Sequence, residues 1–287
     1  ALRISEEQLQ LAKEVGDISL VAASHADIAY TIADQGRYPE ALHHFEESYA
    51  IYESLGNELF IGTRLVDRGD MLWRLGRYQE ARASLVRASS IAERPGDKNK
   101  YLWARISLVR ALLELSARRL REAGVAGRQA LSLYSGDEQA AEAKFTLGRA
   151  RALSGVKQEG RRWCEEAVEM ARHSSYLRLL PEALMALAEA LLESGDARGA
   201  RTTALQAQES FARAGQQESE WRAWLLAGRA CQRVRDNLKA RDYASRAEAS
   251  LSILKKTWGI EASSGYLTRP DIHESLRYLR QLMAENQ

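Results

Sequence analysis

The stretch Gly36-Arg37-Tyr38-Pro39-Glu40-Ala41 returns 40 residues later as Gly76-Arg77-Tyr78-Gln79-Glu80-Ala81. A fixed period of this length marks a chain as an array of supersecondary units. Weaker copies follow at Arg118-Arg119-Leu120-Arg121-Glu122-Ala123, Gly155-Val156-Lys157-Gln158-Glu159-Gly160, Gly195-Asp196-Ala197-Arg198-Gly199-Ala200 and Arg235-Asp236-Asn237-Leu238-Lys239-Ala240, their last residues stepping by 40, 42, 37, 40 and 40. Upstream of a copy, a run such as Leu20 to Asp34 spaces its apolar residues as an amphipathic helix does, and downstream Glu40 to Leu55 does so again. Gly at the turn ends the first helix, because the left-handed conformation there costs Gly little. Each of the six units is therefore expected to be a helix hairpin.

The hairpins also match in residue size. Twelve residues before the turn alanine or its equivalent stand Ala29, Gly69, Ala111, Gly148, Ala188 and Gly228. The turn slot holds Ala41, Ala81, Ala123, Gly160, Ala200 and Ala240, and seven residues later come Ser48, Ala88, Ala130, Ala167, Ala207 and Ala247. Small side chains at these places let paired helices approach closely while larger neighbours interlock as ridges in grooves.

A small residue in the first helix, G-x-Y-x-x-A across the turn and a further small residue together resemble the tetratricopeptide repeat. That repeat is normally about 34 residues long. The longer period here is similar to the elongated variant in sensor domains of bacterial transcription regulators and signalling ATPases, the maltose-regulator type among them. The resemblance covers residues 1–257 and is most specific in the first two units; units three and six lack the turn Gly, and Gly127 stands in unit three where Phe45 stands in unit one. It implies an all-α, right-handed superhelical solenoid of hairpins with a C-terminal capping helix.

The register extends to both ends. Leu11-Ala12-Lys13-Glu14-Val15-Gly16-Asp17 lies 40 residues before Ile51-Tyr52-Glu53-Ser54-Leu55-Gly56-Asn57, which lies 40 before Ile91-Ala92-Glu93-Arg94-Pro95-Gly96-Asp97. Ala1 then falls at the turn slot of an earlier unit, so residues 1–18 read as the second helix of a truncated repeat, with more protein expected upstream. Residues 19–257 read as the six hairpins and 258–287 as a loop followed by the cap. Pro270 starts that last helix where its missing N–H is harmless, Asp271 and Glu274 sit near the positive end of its dipole, and Ile272, Leu276, Leu279 and Leu282 or Met283 form one apolar face. Trp258-Gly259 and Gly265-Tyr266-Leu267-Thr268-Arg269-Pro270-Asp271-Ile272 together are similar to the terminal stretch of some bacterial multidomain signalling proteins with helical-repeat tails.

Composition supports a helical, water-soluble chain: of 287 residues 45% are hydrophobic and 28% charged, with only 4 Pro. The net charge of +2 argues against a nucleic-acid binder steered by overall charge, although residues 1–60 carry three basic side chains (Arg3, Lys13, Arg37) against eleven acidic ones. Such a gradient is compatible with head-to-tail self-association or with an unevenly charged solvated surface. Cys164 and Cys231 lack disulfide or zinc spacing, no run of 18 apolar residues is present, and the first residues do not resemble a signal peptide, so a cytoplasmic location is expected.

Motifs that carry chemistry are sought without success. The sequence contains no Gly-rich loop ending in GKS or GKT, no HExxH and no G-x-S-x-G, so neither an enzyme nor a cofactor is expected. His43 and His44, with Glu46 and Glu47, are the densest group of metal-ligand types, but adjacent helical residues point about 100° apart and read better as surface. Cys164 and Cys231 fall in core-facing slots, as does Trp224, whereas Trp73 lies one residue past an apolar slot.

In tetratricopeptide-like arrays the first helices line the concave face. Those slots carried over give Tyr30 and Asp34, then Asp70, Trp73 and Arg74, then Arg105. The later units give Glu142, Phe145 and Arg149, then Glu182, Glu189 and Glu193, and finally Arg222, Arg229 and Arg233. An Arg-rich wall opposite an acidic one suits a charged peptide, because the guanidinium fork is planar and permanently charged. The same stripe also suits ion pairs within a wet groove. The Lys and Asn set by which the family grips chaperone tails is not matched, since the asparagine slot holds Asp27, Asp67, Val109, Thr146, Ala186 and Leu226. The expected function is a non-catalytic protein or peptide interaction scaffold, the sensor or docking region of a larger bacterial signalling or regulatory protein. The alternative is a small-molecule sensor domain.

Overall fold

The computed structural model describes residues 2–93, 99–134, 137–174 and 176–284. The turn slot assigned to Ala1 and the Arg94 to Asp97 end of the N-terminal register lie outside the described residues. Helix α1 (Leu2–Val15) is followed by the pairs α2 and α3 (Ile18–Ala33, Tyr38–Ser54), α4 and α5 (Glu58–Arg74, Tyr78–Ala92), and α6 and α7 (Lys100–Ser116, Leu120–Leu133). Next come α8 and α9 (Asp137–Leu153, Lys157–Arg172), α10 and α11 (Leu179–Ser194, Ala197–Ala214), α12 and α13 (Gln217–Arg233, Asn237–Leu267), and α14 (Pro270–Ala284). The architecture is an all-α, right-handed solenoid.

Local chemistry sets the helix ends. Asp17 and Asn99 accept the backbone N–H groups of Leu20 and Leu102 at 2.9 and 3.0 Å, and Asp196 accepts that of Gly199 at 2.9 Å. Each such cap is worth about 1 kcal/mol. At the hairpin turns Gly36, Gly76, Gly155 and Gly195 have positive φ, and the residue after each bonds back five positions, as Arg37 N does to Ile32 O at 3.1 Å. Units three and six keep this geometry without Gly: Arg118 and Arg235 both adopt φ 61°, at a cost of about 1–2 kcal/mol each. The turn hydrogen bonds hold there too, Arg119 N to Glu114 O at 2.8 Å and Asp236 N to Cys231 O at 3.0 Å. All eighteen small-residue slots are buried, which is what close pairing of the hairpin helices requires.

The segment after Trp258 departs from the expected loop. Helix α13 breaks only at Gly259 (φ 76°, ψ 176°) and is helical again to Leu267, so Thr268 and Arg269 alone separate it from α14. The extension serves a purpose in packing. Trp258, 8% exposed, donates its indole N–H to Gly36 O at 3.0 Å and packs against the Tyr38 ring, 5.5 Å between centroids.

These contacts close the superhelix on itself. One core runs through both ends of the array, joining Tyr38, Leu72 and Trp73 to Trp221, Trp258 and Tyr266. A buried polar chain passes through it: Trp221 Nε1 donates to Tyr266 Oη at 2.9 Å, and Tyr266 Oη donates to Glu218 at 3.0 Å. Arg269, 2% exposed, pairs with Asp271 at 2.7 Å, donates to Arg74 O at 3.0 Å and lies 4.9 Å from the centre of the Trp73 ring. The backbones themselves touch, so a Cβ on Gly265 would lie 2.6 Å from Leu75 O. Only Gly fits there.

Candidate binding groove

The first helix of each hairpin faces inward, and closure divides the enclosed face into two halves of different character. In the half toward the C-terminus the groove is filled by α14. Glu274 of that helix ion-pairs with Arg118, Asp271 lies 3.8 Å from Arg222, and the Arg229 guanidinium sits 4.1 Å from the centre of the Tyr278 ring. Arg149 pairs with Glu189 at 2.7 Å and Arg229 with Glu193 at 3.5 Å. Burial pushes the Glu189 and Asp271 carboxyls up, but their Arg partners outweigh it and hold both below the ordinary range. About 50 Å³ remains empty in this half.

The half toward the N-terminus contains a cavity of about 480 Å³. Its apolar wall is Ala33, Phe45, Met71, Leu108, Val109 and Leu112, and four tyrosines, Tyr30, Tyr101, Tyr134 and Tyr176, stand around it. Among the described residues, carboxylates from Asp34, Asp67, Asp70, Glu138, Glu142 and Glu182 line it, against the guanidinium groups of Arg105 and Arg178. Tyr30 donates to Asp67 at 3.0 Å, and burial raises its phenol to about 12. Asp67 also pairs with Arg105 and, at 3.3 Å, with Arg64. Asp70 takes the Trp73 indole N–H at 2.8 Å and the Arg74 Nε at 3.2 Å. Arg178 bridges Asp34 at 3.7 Å and Glu182 at 4.0 Å, while Glu138 accepts from the Ser174 hydroxyl at 2.7 Å. Among the described residues no side chain hydrogen-bonds or ion-pairs with the Glu142 carboxylate. Burial raises that group to about 7; Arg178 pulls it down, and the nearby Glu182 and Asp70 charges push it up.

Of the residues named from the repeat slots, Tyr30, Asp34, Asp70, Arg105, Glu142 and Glu182 converge on this cavity. Arg149, Glu189, Glu193, Arg222 and Arg229 converge instead on α14. Four expected residues, Trp73, Arg74, Phe145 and Arg233, do neither. Trp73, 6% exposed, is covered by Arg74 and Arg269, and Phe145, 4% exposed, packs in the core with Ala141, Cys164 and Val168. Arg233 is exposed at the end of α12 and lines neither half. Arg74 is itself buried behind the cavity, held by Asp70. Arg178, Tyr134 and Tyr176 were not read from the sequence because they sit at helix ends or in the links between hairpins, outside the periodic slots.

The remaining candidates are structural. Cys164 and Cys231 are buried, and burial raises both thiols, so neither is a ready thiolate. Trp224 is only half-buried, stacked on Tyr243 at 5.4 Å. His44 Nδ1 lies 3.0 Å from His25 Nδ1. Among the described residues, no helix is long and apolar enough to cross a membrane.

A family model described as tetratricopeptide repeat matches residues 21–55, the first hairpin. No curated protein matches the chain. Similar solved structures include a signal transduction ATPase with numerous domains (STAND) that carries a tetratricopeptide repeat sensor, from Pyrococcus horikoshii: TM-score 0.57, 17% identity, covering 96% of this chain and 43% of that one. The chain thus spans less than half the length of that ATPase. The Rap conjugation gene regulator of the plasmid pLS20 in complex with the Phr* peptide gives TM-score 0.60 at 16% identity, over 95% of this chain and 78% of that one. A Rap protein complexed with competence and sporulation factor gives 0.58 at 14% identity, over 88% and 80%. Repeat, hairpin geometry and these likenesses agree: the chain has a tetratricopeptide-like helical-repeat fold, and its first hairpin matches the tetratricopeptide repeat model.

Proposed function

We propose that this chain is a non-catalytic scaffold that captures a peptide or protein segment in its N-terminal cavity, as the cytoplasmic sensor or docking region of a larger signalling protein. The carrying observation is the cavity itself. Side chains from α2, α4, α6, α8 and α10 converge on it, and α14, which fills the other half of the groove, leaves it open. The fold is one in which Rap structures are described with a peptide or factor bound, and in which a STAND protein carries a sensor. At their level of identity these likenesses bear on fold, so the binding reading rests on the cavity.

A small-molecule sensor is the second reading, favoured by size: about 480 Å³ falls within the roughly 300–1,000 Å³ of small-ligand pockets. Thermal-shift screening of a displayed peptide library and a metabolite panel separates the two, because a ligand that binds only the folded state raises its stability. Hits should protect the amides of residues 101–112 and 138–145 from hydrogen exchange. Protection confined to the outer surface, or no response to either panel, would overturn both readings.

A further inference from the structure

We propose that the N-terminal cavity selects a cation, an ammonium or guanidinium on an aliphatic stem, seated against the Glu142 carboxylate. This rests on the reading of the cavity as a binding site and names the chemistry it takes. Ion-pair bookkeeping carries it. Among the described residues both guanidinium groups lining the cavity are already engaged, Arg105 by Asp67 and Arg178 by Asp34 and Glu182, so an anion entering would find no unpaired guanidinium. Asp70 is held from behind by Arg74 and Trp73. Glu142 remains, a half-buried carboxylate lining the cavity to which no described side chain donates. It is the group a ligand would complete.

Shape agrees with charge. The apolar wall formed by Met71, Leu108, Val109 and Leu112 would receive the methylene stem of a lysine, an arginine or an alkyl amine, with its charged head reaching Glu142. Tyr101 and Tyr134, 6.5 Å apart and edge to face, present ring surface that attracts cations. Together these make a site opposite in sign to one that grips a terminal carboxylate.

The groups facing Glu142 are Arg178 at the start of α10 and Glu182 on it, Asp70 and Arg74 on α4, Arg105 on α6 and Tyr134 after α7, with Glu138 on its own helix. Their sum leaves Glu142 partly protonated near pH 7. A bound cation favours the ionised form, so binding releases a proton and weakens as pH falls through about 7.

The test is calorimetric titration of the full chain at pH 6 and pH 8. The probes are two free amines, 1,5-diaminopentane and agmatine, and short peptides with one central Lys or Arg. Controls are the same peptides with acetyl-lysine or citrulline, and an acidic peptide. At least one cationic class should bind ten or more times tighter than its neutral counterpart, and about tenfold tighter at pH 8 than at pH 6. Which arm responds tells a peptide side chain from a free amine. Glu142→Gln, checked for an unchanged circular dichroism spectrum, should abolish both the preference and the pH dependence. Equal binding of neutral probes, a preference for the acidic peptide, or undiminished cation binding by Glu142→Gln overturns the proposal; the wild-type pH profile decides it even if the variant folds poorly. An uncharged ligand mapped to the cavity would sink the cation and leave the scaffold standing. Failure of these probes together with both screening panels would sink the two together.

Discussion

The two halves of the groove are built from equivalent slots of the same repeat, yet they end in opposite states. Toward the C-terminus, Arg118, Arg222 and Arg229 meet Glu274, Asp271 and Tyr278 of the chain's own last helix. Toward the N-terminus the lining charges pair with one another but, among the described residues, no side chain pairs with Glu142 and no helix fills the space. The Arg-rich wall that looks from the sequence like a docking surface is therefore already docked. The open side is the acidic one, and the comparison sharpens the expected charged peptide into the cation proposed above.

That contrast can be broken most severely at the fastening. Arg269→Ala would leave the half-buried Asp271 carboxylate with Arg222, 3.8 Å away, as its remaining partner and release the Arg74 carbonyl, for a loss of about 3 kcal/mol of unfolding free energy in urea melts. A loss under 1 kcal/mol would mean that α14 is only loosely seated. Gly265→Ala acts on the same closure without touching a charge: its Cβ must displace Leu75 O from 2.6 Å, at a cost of about 1–3 kcal/mol. Hydrogen exchange should then rise in α14 and in the turn at residues 75–77 while α8 to α11 stay protected.

On the open side, Glu142 gives a pH signature. Its folded value, about 7, lies above the ordinary carboxylate value, so the native state holds the extra proton between roughly pH 4.5 and 7 and stability falls as pH rises through that window. Glu142→Gln should remove this fall and gain on the order of 2 kcal/mol relative to wild type at pH 8, with no gain at pH 4. A gain that is the same at both pH values would place the carboxylate in water. The smallest expected effect lies outside both halves: Arg235→Gly should stabilise by about 1 kcal/mol, because exposed Arg235 holds φ 61° where Gly is unstrained. Thermal melts would show this as a rise of a degree or two.

The features that were legible in the sequence are those that repeat. Hairpin boundaries, turn conformations and the close-contact slots recur every 40 residues or so, and six imperfect copies correct one another's noise, even where Arg replaces the turn Gly. Pro270 and the apolar face of Ile272 and Leu279 marked α14 as a helix. Its seat in the groove was not legible, because Arg269 reaching Arg74 and Trp258 reaching Gly36 are single contacts across 195 and 222 residues, with no period to expose them. The helix after Gly259 was missed for a related reason. Its residues answer to what they meet on other elements, Gly265 to Leu75 across the closure and Tyr266 to Trp221 on α12, more than to their own helical pattern. In the cavity, Glu142 was visible as a slot, but its isolation depends on Arg178, which lies at the start of α10 just before the periodic run.

Closure also has a consequence for how the protein is made. A linear repeat array gains stability unit by unit as it is translated, each hairpin resting on the one before. Here the first two hairpins complete their core with Trp221, Trp258 and Tyr266, residues that leave the ribosome well after those hairpins. Until they arrive, Tyr38 and Trp73 lack part of their cover, and the early chain presents an apolar surface to any chaperone or protease nearby. Sealing of the first turns then waits on that segment, which ties the shape of the N-terminal cavity to the integrity of residues some two hundred positions downstream.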